Sequence, residues 1–168
     1  MELSGKVWKF GSDINTNLIH PNDAHSATIA DQAGMVFSAN RPGWAAQVSK
    51  GDIIVAGRNF GMGSQRPAAR SLLNLGIACL LAHSFNGLFY RNCVNFGLPA
   101  LECPNIDAAF EEGDLAQVEF DTGIIRNVRT NQPLQASPMP GDLIAILKAG
   151  GIYPLLEKED LIYPLHRT

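Results

Sequence analysis

Residues 53–82 read IIVAGRNFGMGSQRPAARSLLNLGIACLLA. Ile53-Ile54-Val55-Ala56 is an unbroken apolar run bounded by Gly51-Asp52 and Gly57, the pattern of a strand covered on both faces. Glycines 57, 61 and 63 then make a loop. Pro67 suits a first helical turn, where its missing N–H is not needed, and Gly76 suits the residue just past a helix end. The spacing predicts a helix over 65–75, with Ser64 or Gln65 at its N-cap, and a second buried strand over 77–82. Strand, loop, helix and strand within about 30 residues make one βαβ unit, so the sheet at the centre of the fold is parallel.

The flanks extend this unit. Residues 5–10 (GKVWKF) read as a strand that ends at a polar, turn-prone stretch over 11–17. That stretch continues as a loop through 22–26, and residues 24–33 carry weak helical character. Downstream, a helix over 86–96 closes at Gly97, and 98–101 reads as a third parallel strand. Residues 115–120 and 124–128 then form an antiparallel hairpin about Asp121-Thr122-Gly123. A last helix over 142–149 ends at Gly150-Gly151. With no repeat or low-complexity linker, residues 1–168 are expected to form a single α/β domain.

Composition bounds the function. The 168 residues are 46% hydrophobic and 17% charged, which excludes a disordered or fibrous chain. A formal charge of −3 argues against a nucleic acid or an anionic membrane as partner. It leaves room for a small anion held by one or two arginines. Cys79, Cys93 and Cys103 include no CxxC pair, so neither a zinc site nor a self-contained iron–sulfur site has its usual spacing. The odd count suggests a reducing compartment. There is no signal-peptide core near Met1 and no run of ~20 apolar residues. The expectation is a soluble, cytoplasmic protein.

In an open parallel sheet, ligands bind beyond the carboxyl ends of the strands, which is where the 57–64 loop belongs. Its glycines let the backbone approach a ligand, and the free N–H groups of a following helix favour an anion. Arg66 can grip a carboxylate through two parallel hydrogen bonds, and Ser64 can exchange a proton if surrounding amides hold its alkoxide. The alternative is structural: Ser64 as a helix cap in a loop without a ligand. The loop lacks the Lys-Ser/Thr end of a P-loop and does not give GxGxxG, and no GxSxG nucleophile elbow is present.

Residues 57–66, GRNFGMGSQR, resemble the GxNFGxGSSR signature of the small, swivelling subunit of isopropylmalate isomerase and its aconitase relatives. Residues 84–98, SFNGLFYRNCVNFGL, are similar to that family's SFxxIFxRNxxNxGL segment, and residues 13–21, DINTNLIHP, to its DIDTDxIIP loop. The three stretches occur in the family's order and at its intervals, and the resemblance extends to Leu147-Lys148-Ala149-Gly150-Gly151. It implies a swivelling β/β/α three-layer domain with a parallel sheet core and an added antiparallel hairpin. It also implies half of a hydro-lyase that dehydrates and rehydrates a hydroxylated di- or tricarboxylate, of the kind used in leucine and other branched-chain amino acid biosynthesis.

In that family a separate large subunit carries the [4Fe–4S] cluster, whose open iron takes the substrate hydroxyl, so no cluster is expected on this chain alone. The family's signature serine, here Ser64, removes the proton α to a carboxylate. Its arginine, here Arg66, holds a substrate carboxylate, with Gly63 and Gln65 alongside. The sequence departs from the pattern at Gln65, where the family has a second serine. It departs again at Pro67-Ala68, in place of Glu-His, and over 22–26, which lacks an Arg-Tyr-Leu type of sequence. His25 in that last loop is a candidate substrate contact. A competing reading is a non-catalytic module of the same fold that binds a carboxylate or phosphate.

Other residues read as structural. His20, before Pro21, is structural, His83 is a satisfied histidine at a strand terminus, and Arg91 and Asn92 hydrogen-bond loops that support the site. Cys79 and Cys93 are small core residues, and Phe85, Phe89 and Tyr90 form a packed face.

Overall fold

The computed structural model describes residues 1–64 and 67–163, without the side chain of Ala30. Expectations that fall on Gln65 and Arg66 therefore lie outside the described residues. The predicted βαβ unit is present. Strand β1 (Glu2–Lys9) is followed by helices α1 (Thr16–Ile19) and α2 (Ile29–Gly34), then by strand β2 (Ile53–Ala56), helix α3 (Ala68–Leu75) and strand β3 (Cys79–Ala82). Helix α4 (Gly87–Phe96), strand β4 (Ala100–Glu102) and the short helix α5 (Ile106–Ala109) complete the parallel part. Strands β5 (Leu115–Glu119), β6 (Ile124–Asn127) and β7 (Pro133–Gln135) precede helices α6 (Gly141–Ala149) and α7 (Ile152–Lys158).

Among the described residues the strands make one seven-stranded sheet in the order β4-β3-β2-β1-β5-β6-β7. β1 to β4 pair in parallel, with Ile53 opposite Cys79 and Ile54 opposite Leu80. The antiparallel strands join the other side of β1, where Leu3 stands opposite Val118. Side-chain alternation divides the core into two clusters. Trp8, Ile54, Ala56, Leu80 and Ala82 pack with Ala69 and Leu72 of α3 and with Phe89 and Cys93 of α4. The neighbouring residues Val7, Ile53, Val55, Cys79 and Leu81 point the opposite way and meet Ala116, Val118 and Ile125 of β5 and β6. The sheet thus curls so that its antiparallel half covers the parallel half, giving the expected β/β/α layers. Because helices cover one face and strands the other, β2 and β3 are apolar at every position.

Several boundaries differ from expectation. α3 starts at Ala68 with Pro67 preceding it, and no side chain caps it. Ser64 is therefore not its N-cap. The loop expected over 11–26 contains α1, capped by the Asn15 side chain, and a 3-10 turn over Asn22–Ser26. Elements this short show no periodicity. The weak helix over 24–33 is replaced by that turn and by α2, because Thr28 caps α2 from within the expected span by accepting the Asp31 N–H. The hairpin gains a third strand, β7, whose three residues are too few to alternate. The helix at 142–149 is not the last: Gly150 and Gly151, at φ +87° and +121°, turn the chain into α7.

Candidate functional site

The loop over 57–64 leaves the carboxyl end of β2 and is bound on both sides by its neighbours. Towards 11–17, the Gly57 N–H donates to Gly11 O at 3.2 Å and the Asp13 N–H to Arg58 O at 2.8 Å. The Arg58 N–H in turn donates to Ser12 Oγ at 3.0 Å. The Gly61 and Met62 N–H groups both donate to Ile14 O, and the Thr16 N–H donates to Met62 O. Towards 84–86, the Phe60 N–H donates to Ser84 O and the Asn86 N–H to Phe60 O, while Ser84 Oγ accepts the Asn59 N–H at 3.0 Å. The Glu102 carboxylate accepts the Phe85 N–H at 2.8 Å. The three stretches that carry the family resemblance thus form one hydrogen-bonded platform.

The glycines act differently from the sequence expectation. A Cβ on Gly61, which sits at φ +84°, would lie 2.2 Å from the Phe89 ring. One on Gly63, at φ +101°, would lie 2.8 Å from Thr16 Oγ1. These positions are glycine because protein, rather than a ligand, occupies the space a side chain would need, and because L-residues rarely adopt such φ values. Asn59 and Asp13 also adopt positive φ, and Asn59 Nδ2 donates to Asp13 Oδ1 at 3.0 Å. Asn and Asp tolerate that conformation better than other side chains. Asn59 and Ser84 stand at matched positions of the family motifs, whereas nothing in the sequence marks Ser12 or Glu102 as supporting the site.

At the end of this platform Gly63 and Ser64 are exposed. His25 lies on the 22–26 turn, exposed, with its ring edge-to-face against His20 at 4.9 Å between centroids. His20 is buried, and its Nδ1 is 2.8 Å from Ser71 Oγ on α3. Burial, with the nearby His25 adding to it, holds the His20 pKa below the ordinary histidine value. His83 at the end of β3 has the expected structural role, its Nδ1 accepting the Asn105 N–H at 3.2 Å. Arg91 and Asn92 do not: among the described residues neither side chain hydrogen-bonds a supporting loop, and Arg91 is exposed on α4. The loops are held by backbone groups and by Ser12, Ser84 and Glu102 instead. Phe85, Phe89 and Tyr90 pack on Phe60 and on one another, as expected.

The three cysteines are buried. Burial pushes all three thiols up, so they stay protonated at neutral pH. Among the described residues no group of three or more His, Cys, Asp or Glu side chains could hold a metal ion. The donor set of the described residues therefore does not fit an iron–sulfur cluster. No helix among the described residues is long and apolar enough to cross a membrane.

Comparison with known proteins agrees with this geometry. Residues 11–106, which include the whole platform, match the aconitase C-terminal domain. The chain is 40% identical over 159 residues to the 3-isopropylmalate dehydratase small subunit 1 of Methanopyrus kandleri, covering 94% of each chain. It is equally similar to the isopropylmalate/citramalate isomerase small subunit of Methanocaldococcus jannaschii, over 94% of this chain and 95% of that one. The crystal structure of a 3-isopropylmalate dehydratase from the latter organism superposes with a TM-score of 0.89 at 31% identity, covering 96% of both chains. With its platform, curled sheet and near-complete coverage, the chain belongs to the aconitase family of hydro-lyases, in the branch of the 3-isopropylmalate dehydratase small subunits.

Proposed function

We propose that residues 1–168 act as one swivel domain that completes the active site of a hydro-lyase when docked on a large subunit, and that the substrate is a hydroxylated di- or tricarboxylate. In this reading Ser64 takes the proton α to a substrate carboxylate. The adjacent backbone amides, with that of Gly63 among them, stabilise the alkoxide that makes it a base. Arg66 holds a carboxylate through its planar fork, and Gln65 offers an amide that both donates and accepts. His25 faces the variable part of the substrate. A [4Fe–4S] cluster on the large subunit would supply the Lewis acid for the substrate hydroxyl.

The observation that carries this reading is the hydrogen-bonded platform with Ser64 exposed at its end. A fixed loop can place a proton acceptor accurately, and an exposed serine becomes a base only when a second surface excludes water from it. Relatives are named for isopropylmalate and for citramalate, so these two acids are the first to test. The experiment is to purify the chain with its large subunit and to follow the absorbance of the unsaturated product from a panel of 2-hydroxy acids. Turnover that requires both chains is expected. A complex that turns over none of them while binding carboxylates would establish the non-catalytic module instead.

A further inference from the structure

We propose that His20 is a positioning residue that, through Ser71, anchors the first turn of α3 and with it the segment bearing Arg66. Ser71 Oγ donates to Pro67 O at 3.1 Å, so its single proton is used there and its lone pairs face His20 Nδ1 at 2.8 Å. With the Ser71 proton given to Pro67 O, the bond from His20 is assigned as Nδ1–H to Ser71 Oγ. This fixes the tautomer and leaves Nε2 bare. Nε2 is buried and has no hydrogen-bond partner among the described residues, while the residue as a whole is 1% exposed. A buried ring nitrogen without a partner is costly, and a satisfied core histidine would not show one. Here the ring is held by its other nitrogen, which ties the end of α1 to the first turn of α3.

The location is informative. Pro67 directly follows Arg66, and His25 of the 22–26 turn packs on the His20 ring. Two of the stretches where this chain departs from the family pattern therefore meet at one pair of side chains. The N-terminal flank of the segment is fixed separately by the Met62 contacts to Ile14 and Thr16. The His20–Ser71 bond thus acts on the Pro67 end of the segment rather than the Ser64 end.

The link responds to pH. Protonating His20 adds an Nε2–H with no acceptor and places a cation beside His25. Among the described residues no carboxylate pairs with it: α1 carries no titratable side chain, Asp23 on the 22–26 turn is exposed, Asp31 of α2 is hydrogen-bonded by the Thr28 hydroxyl, and Arg70 of α3 lies over the Phe96 ring. With the folded pKa lowered, the neutral form is the one the fold favours, and the anchor weakens as pH falls through that pKa.

The proposal rests on the reading of Arg66 as the carboxylate holder, and two experiments keep the two claims apart. In the full chain, the backbone amide resonances of Ala68 and Ala69 should titrate together with the His20 ring, below the ordinary histidine range, while that of Ser64, on the flank held by Met62, should not. Ser71→Ala should uncouple them. In the assembled enzyme, Ser71→Ala and His20→Leu should raise KM about fivefold, the worth of one neutral hydrogen bond, with kcat within about twofold. His20→Asn, whose amide N–H can replace Nδ1–H, should restore KM and remove the titration. Amides that do not follow His20, or a wild-type KM in Ser71→Ala, would overturn the proposal. If the wild-type complex turns over no hydroxy acid, the proposed function fails, and the amide titration alone decides the role of His20.

Discussion

Ser64 is exposed and caps no helix, so removing its hydroxyl should act on chemistry alone. Ser64→Ala is expected to leave the melting temperature unchanged and to lower kcat by about 10²–10⁴-fold, the usual contribution of a positioned base. Near-normal turnover would remove Ser64 from the mechanism. Arg66→Lys keeps the charge but loses the fork, so one of two carboxylate hydrogen bonds goes. That should lower kcat/KM by roughly 10 to 150-fold, mostly in KM, and by less for an analogue lacking the carboxylate. Equal losses with the two compounds would show that the arginine does not hold it. At Gly61 the expectation is structural: Gly61→Ala combines φ +84° with a Cβ 2.2 Å from Phe89. It should cost roughly 2–5 kcal/mol, read from denaturant midpoints.

At the scale of elements, the start of β5 is held by a charge pair that should govern acid stability. Arg129 donates to both carboxylate oxygens of Asp114, at 2.7 and 2.9 Å, and Asn127 adds a third bond at 2.7 Å. The Arg129 guanidinium holds the Asp114 carboxyl well below the usual carboxylate range. A lowered pKa means that the stabilisation is fully present above the unfolded value of about 3.9 and is lost as pH falls towards the folded pKa. Arg129→Met should therefore be less stable than wild type at pH 7, and the difference should shrink progressively below about pH 4. Urea titrations at pH 7 and pH 3 test this, and a gap of constant size would show that the pair is not the cause. Because Asp114 O also accepts the Val7 N–H, the change should reach β1, the strand shared by both halves of the sheet.

For the whole molecule, the donor set predicts a division of labour. Reconstituted anaerobically by itself, the chain should retain no stoichiometric iron and should dehydrate nothing, and mixing it with the large subunit should restore turnover. Iron bound in stoichiometric amount by this chain alone would contradict the assignment of the cluster to the partner. The curled sheet gives a reason for the arrangement. Both faces of its parallel half are consumed by core packing, by helices on one side and by the antiparallel half on the other. What remains for substrate is the end of the sheet, where a second subunit can close over Ser64.

The sequence by itself determined the βαβ unit, the parallel class of the sheet and the hairpin, because these depend on local signals: continuous apolar runs, a proline at a helix start and glycines such as Gly76 and Gly97 at helix ends. It also carried the family, since the three motif stretches are legible as strings. Tertiary structure decided what those strings do. The sequence shows glycines at 61 and 63, but only the fold shows that Phe89 and Thr16 fill the space beside them. Ser12, Ser84 and Glu102 look like ordinary loop and edge residues until chain segments apart in sequence bring their oxygens to particular N–H groups. His20 reads as one histidine before a proline. Its bond to Ser71, 51 positions away, and its bare Nε2 exist only once α1 packs on α3. Periodicity and turn chemistry are properties of neighbours along the chain, whereas a hydrogen bond between loops depends on distances that the sheet order alone sets.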